Sequence, residues 1–153
     1  MITLFTTTKN FSGIFDVIQY NALKSWRSIS TELQIIIIGN SEGSKEAADS
    51  INAEFVPEVR CSPEGTPFLK DLFYIAEKMA NHKLLCYINA DIILPQNFLQ
   101  TINKVAMKFN KFLMVGHRWD MDVITDINFL NQTENDNFWI PVNEKAKKHA
   151  CTG

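Results

Sequence analysis

Short runs of apolar, β-branched residues alternate along this chain with longer stretches whose apolar positions recur every three or four residues. Residues 2–7 form the first such run, and Phe15, Ile18, Ala22, Trp26 and Ile29 follow at helical spacing, which predicts a strand and then an amphipathic helix. Residues 33–38 are a second run, closed by Gly39-Asn40-Ser41, and the polar stretch 44–52 predicts a second helix. Residues 53–59 read as a third strand. Thr66-Pro67 marks the next helix start, with Thr able to cap and Pro suited to the first helical position. Phe68, Leu69, Leu72, Phe73, Ala76, Met79 and Ala80 supply its apolar stripe. A fourth strand is expected over 84–89, a helix carrying Phe98, Ile102, Val105, Ala106 and Phe109, and a fifth strand over 112–116. Beyond Asp122 the pattern weakens: the Asn- and Asp-rich stretch 126–137 predicts a loop, 138–141 a short extended piece, and 143–150 a short helix.

Sustained strand–helix alternation implies crossovers that carry helices to both sides of a sheet. The predicted class is therefore α/β: a Rossmann-like, open, mainly parallel sheet with helices on both faces. At 153 residues the chain suits one domain with a full core, and with no repeat, low-complexity tract or linker, residues 1–153 are read as that domain. Hydrophobic content of 46%, charged content of 21% and a formal charge of −2 exclude the disordered, fibrous and membrane-embedded classes. Lys and Arg are scattered. The densest group, Lys145, Lys147 and Lys148, reads as a solvated helix face, so no nucleic-acid partner is expected. Cys61, Cys86 and Cys151 fit no paired metal spacing and read as reduced thiols. The N-terminus lacks a signal-peptide pattern and no apolar run reaches the roughly 20 residues of a transmembrane span. A cytoplasmic location is expected.

The chemistry concentrates at Leu84-Leu85-Cys86-Tyr87-Ile88-Asn89-Ala90-Asp91-Ile92-Ile93-Leu94-Pro95, an apolar run with a carboxamide and a carboxylate at its tip. A strand apolar throughout is covered on both faces, and open α/β sheets bind ligands beyond the carboxyl ends of their strands. A carboxylate at the end of such a strand suits a hard divalent cation held through oxygen, and Asp91 suits that role better than Asn89. Mg²⁺ or Mn²⁺ takes one or two carboxylates and completes its shell with diphosphate oxygens and water. The structural alternative is that both side chains cap the following turn. Arg118, Trp119, Asp120 and Asp122 join a cation, an indole and two carboxylates. That combination binds sugars by ring stacking and bidentate hydrogen bonds; its structural alternative is an Arg–Asp pair beside a core Trp. His82, His117 and His149 share no ligand spacing and read as structural or surface residues. The loop after the second strand has neither a Walker nor a G-x-G-x-x-G pattern, which disfavours a nicotinamide or flavin enzyme.

Three segments resemble glycosyltransferases of the GT-A fold, whose Asp-x-Asp motif ends a central strand and binds metal and nucleotide-sugar diphosphate. They are Gly65-Thr66-Pro67-Phe68-Leu69, Tyr87-Ile88-Asn89-Ala90-Asp91-Ile92-Ile93-Leu94, and Phe112-Leu113-Met114-Val115-Gly116-His117-Arg118-Trp119-Asp120. By this resemblance Asp91 is the metal ligand, and Asn89, standing where the motif has its first Asp, sits near the ribose or a metal-bound water. Thr6, Thr7, Thr8, Asn40 and Arg60 would form the nucleotide pocket. The acceptor half of such a domain lies beyond this length, so the ending at Thr152-Gly153 reads as that of a fragment whose uncovered apolar face favours self-association. The function implied is a glycosyltransferase-like domain that binds a nucleotide-diphosphate sugar through Mg²⁺ or Mn²⁺ and transfers the sugar to an unknown acceptor. A nucleotidyltransferase and a non-catalytic nucleotide-binding or interaction module are the alternatives.

Overall fold

The computed structural model describes residues 1–149. Four strands, β1 (Ile2–Thr6), β2 (Gln34–Ile38), β3 (Glu54–Val56) and β4 (Leu84–Tyr87), form one parallel sheet in the order β3-β2-β1-β4. Thr6 pairs with Ile37 across β1–β2, Phe5 with Tyr87 across β1–β4, and Ile38 with Val56 across β2–β3. The fold is thus α/β with a parallel sheet, compatible with the Rossmann-like plan.

Every residue of β1 and β2 is buried, as befits central parallel strands covered on both sides. The two faces have separate cores. On one, Ile2, Leu4, Ile35 and Ile37 pack under α1 (Ile14–Ile29), α2 (Ser44–Ser50) and α4 (Phe98–Lys108), with Trp26, Ala48 and Ile102 as the helical contributions. On the other, Phe5, Ile36 and Ile38 meet Leu72 and Ala76 of α3 (Leu69–Met79). Burial of each such Leu or Ile side chain contributes about 1.5–3 kcal/mol, so the two runs that read most plainly as strands also carry the core.

The polar side chains inside this frame are satisfied. Gln34, at the start of β2, accepts from Thr3 Oγ1 at 2.6 Å and from the Asn81 amide at 2.7 Å, and donates to Glu54 and to the Met79 carbonyl. His82 lies 3.3 Å from Thr3 Oγ1. The half-buried Arg27 donates to the carbonyls of Ile51, Thr31, Leu33 and Asn52, tying together the segments that lead into β2 and β3 at the same end of the sheet. Burial pushes its pKa down.

Several expected elements differ. The third strand covers only Glu54–Val56 of the expected 53–59, and Pro57, which cannot donate to a ladder, ends it. The fourth stops at Tyr87, two residues before Asn89. Thr66 does not cap α3: its carbonyl accepts from Ser62, the Phe68 amide donates to Arg60, and Cys61 bridges Pro67. This small antiparallel turn holds the chain extended until Leu69, where the helix begins. Residues 112–116 form no strand. They have no ladder partner among the described residues and lie exposed except for Phe112. The expected loop 126–137 and extended piece 138–141 are largely one helix, α5 (Gln132–Lys145), with Pro141 inside it. The Asn131 side chain accepts from the Glu134 amide and so caps the helix. The helix expected at 143–150 is the end of α5 followed by β6 (Lys147–Lys148), which pairs antiparallel with β5 (Trp119–Asp120). Cys151 lies outside the described residues, as does Ala150.

Candidate functional site

In the order β3-β2-β1-β4 the chain winds outward from β1 to β3 and then returns to the far side of β1 with β4. The gap between the carboxyl ends of β1 and β4 is therefore a topological switch point, where open α/β sheets form their ligand crevice. Beyond β1 the chain continues through Thr7 and Thr8, and beyond β4 through Asn89 and Asp91.

The strand ends lie side by side in sheet order. Gly39, at φ +107, leaves β2 so close to its neighbours that a Cβ there would lie 3.2 Å from Thr7 Oγ1 and 3.8 Å from Val59 Cγ1. The Gly39 amide donates to the Val56 carbonyl. Next to them the Ile88 amide donates to the Phe5 carbonyl, which extends the β1–β4 pairing up to Asn89. Val59, Gly39, Thr7 and Asn89 thus follow one another along one rim.

Asn89 and Asp91 are exposed on a tight turn in which the Ile92 amide donates to the Asn89 carbonyl at 3.1 Å. Both side chains leave the turn toward solvent while Ala90 between them is buried. Helix α1 pins the turn from behind. Trp26 Nε1 donates to the Ile92 carbonyl at 2.7 Å, and Ser25 Oγ accepts from the Leu94 amide at 3.1 Å. The turn is accordingly fixed by fully buried residues, although its own polar groups face water.

The threonines divide in role. Thr6 is buried and donates to the Thr7 carbonyl. Thr8 is buried against Ser44, with Oγ atoms 2.7 Å apart, and its carbonyl accepts from Ser41 Oγ. These bonds tie the β1–α1 loop to the β2–α2 loop. The Phe11 amide donates to Glu42 and the Glu42 amide to Asn10 Oδ1, while Gln19 both accepts from and donates to the Lys9 backbone. Thr6 and Thr8 therefore build the rim, while Thr7 is half-buried and Asn40 exposed beside it.

Arg60 is engaged elsewhere. Its Nε and Nη2 donate to the two Asp71 carboxylate oxygens at 3.0 and 2.6 Å, and this bond holds the Asp71 carboxyl below its usual range. The pair borders an open groove of about 610 Å³ that includes Pro57, Val59 and Tyr74. Asn89 and Asp91 are not among its walls. The groove lies off the β3 side of the rim, and the switch point, defined by strand order, remains the better-founded site.

Arg118, Trp119 and Asp120 are not drawn to the rim. Asp120 accepts from Arg118 Nε at 2.9 Å and from His149 Nδ1 at 2.6 Å, with Arg118 Nη2 3.2 Å from the same ring nitrogen. The Arg–Asp pair is thus present, but the indole stands exposed on β5 rather than in a core. Asp122 is exposed nearby. His149 is the unexpected member of this group, brought in by the β5–β6 pairing rather than by any sequence spacing.

Tyr87 is the residue of the rim that the sequence did not single out. Its ring packs at 5.5 Å from Phe5 and 6.2 Å from Phe73. Burial, and then the negative charge of Asp91, push its phenol above the ordinary value of 10.0.

Among the described residues no group of three or more His, Cys, Asp or Glu side chains gathers to enclose a metal. A cation completed by phosphate and water needs only one or two protein carboxylates. The exposed carboxylate of Asp91 and the carboxamide oxygen of Asn89 are hard donors that fit Mg²⁺ or Mn²⁺ in that manner. No family model matches the chain, and no curated protein matches it.

Proposed function

We propose that this chain is the donor-binding part of a GT-A-like glycosyltransferase, which binds a nucleotide-diphosphate sugar with Mg²⁺ or Mn²⁺ at the β1–β4 switch point. The observation that carries the reading is the return of β4 to the far side of β1, which aligns Asn89 and Asp91 with Thr7 and Asn40 along one rim. In this reading Asp91 holds the cation and Asn89 turns its carboxamide to the ribose or to a water on the cation. Thr7 and Asn40 offer hydroxyl and carboxamide groups to the nucleoside. When bound, the cation acts as a Lewis acid that offsets charge on the leaving diphosphate. Arg60 enters the pocket only by leaving Asp71.

Calorimetric titration of UDP and of GDP, with Mn²⁺ and then with EDTA, tests the reading. The expected result is metal-dependent binding of one nucleotide, lost in Asp91→Ala at an unchanged melting temperature, because Asp91 is an exposed turn residue whose replacement costs within about 0.5 kcal/mol of stability. Equal binding by the variant, or binding indifferent to EDTA, removes Asp91 from the metal role.

A further inference from the structure

No acidic residue occurs between Asp91 and Asp120, while Lys104, Lys108, Lys111 and Arg118 fall within that stretch. The chain as a whole has a net charge of −2, so this is a local reversal of its balance. The same stretch carries large apolar side chains in the open. Met107 is 81% exposed, Leu113 91%, Val115 78% and Trp119 62%. From Met107 to Asp120 only Phe112 is even half-buried. Lys104, Lys108 and Lys111 form no ion pair among the described residues, whereas Arg118 is neutralised by Asp120. Aliphatic chains, an indole and unpaired ammonium groups on one continuous surface segment match the boundary between anionic headgroups and acyl chains.

We infer that the segment from Lys104 to Trp119 docks the protein on an anionic lipid surface. The three lysines lie against the headgroups, and Met107, Leu113, Val115 and Trp119 enter the interfacial layer. Among the described residues no helix is long and apolar enough to cross a membrane, so the attachment proposed is peripheral and reversible. Nucleic acid explains the cations but not the aliphatic side chains, which neither stack on bases nor contact phosphate. A second copy placed over the same patch by two-fold symmetry brings like charges together. Among the described residues β4 pairs on one side only, with β1, so its free edge is the competing place for residues 112–116. The inference rests on this segment alone and is independent of the nucleotide site.

Sedimentation of the full chain with phosphatidylcholine vesicles, and with vesicles also containing phosphatidylserine, tests it. The expected result is binding to the anionic vesicles only, weakened by salt. Replacement of both lysines in Lys108→Gln/Lys111→Gln lowers the partition coefficient roughly 25-fold, at about fivefold for each cation near the surface. Leu113→Asp weakens binding without lowering the melting temperature, since the side chain supports no packing. Lipids brominated on their acyl chains quench the fluorescence of the wild type, and Trp119→Phe removes that quenching while the buried Trp26 and the half-buried Trp139 remain. Binding indifferent to phosphatidylserine or to the lysine pair overturns the proposal, as does absence of sedimentation. It is also overturned if amides 112–116 resist hydrogen exchange without vesicles, which assigns the segment to the β4 edge, or if Leu113→Asp dissociates a dimer, which assigns it to a second copy.

Discussion

Two apolar runs of similar length, β2 (Gln34–Ile38) and residues 112–116, occupy opposite environments. Ile35 to Ile38 are buried completely or nearly so, between β1 and β3 and under helices on both faces. Leu113 and Val115 instead face solvent. Composition alone does not separate them. The difference lies in partners: β2 has a hydrogen-bonded neighbour on each edge and a core on each face, whereas residues 112–116 have neither. Burial of an apolar strand is a property of the sheet it joins, not of the strand.

The strongest way to break this comparison is to truncate one buried and one exposed residue. Trp26 is fully buried, packs in the core beside Ile35 and Ile37, and donates to Ile92. Trp26→Ala is expected to cost about 3–5 kcal/mol in urea denaturation, and to loosen the turn that carries Asn89 and Asp91. Leu113→Ala is expected to change stability by no more than about 0.5 kcal/mol. Comparable losses at the two sites would mean that residues 112–116 are packed in solution.

The loops that frame the rim belong with the rigid half, and Gly43 tests this. It precedes α2 at φ +82, and a Cβ there would lie 2.7 Å from Phe11 Cβ. Gly43→Ala is therefore strained twice, by backbone conformation and by contact, with an expected cost of about 1–3 kcal/mol. The thermal shift should be accompanied by weaker nucleotide binding, since the β1–α1 and β2–α2 loops are zipped at that point. A variant as stable as the wild type would show the two loops to be independent.

How far the sequence reveals the molecule follows the same division. The runs that became β1 and β2 were legible because covered parallel strands are mostly apolar; the β4 run read as a strand covered on both faces for the same reason, yet it is a half-buried edge strand beside β1. Asn89 and Asp91 stood out because they interrupt such a run where a strand should end. What escaped depends on residues distant in sequence. Arg60 meets Asp71, Thr8 meets Ser44, and Asp120 meets His149, and no local pattern announces any of these pairings. The helix α5 is a different case. Its Asn and Asp content suggested a loop, yet Asn131 followed three residues later by Glu134 is an N-cap signature. Pro141 obscured it further, because proline inside a helix removes a hydrogen bond and usually signals an end.

The smallest expected effect belongs to the exposed ribbon of β5 and β6. The Asp120 carboxyl is held below its ordinary value of 3.8, chiefly by its hydrogen bond with His149 and then by the charges of His149 and Arg118. A carboxyl depressed in the folded state stabilises the fold at pH values above its unfolded pKa and loses that contribution as pH falls through the folded one. The consequence is therefore confined to pH below about 4. It is also confined to the ribbon, because the four-stranded sheet has no part in the pair. Carbon-13 titration of the Asp120 carboxyl should give a midpoint below 3.8, and His149→Ala should return most of that depression while leaving thermal unfolding at neutral pH nearly unchanged. An unaltered midpoint in the variant would mean that Arg118 alone holds Asp120, and that the contact drawing His149 to β5 does not persist in solution.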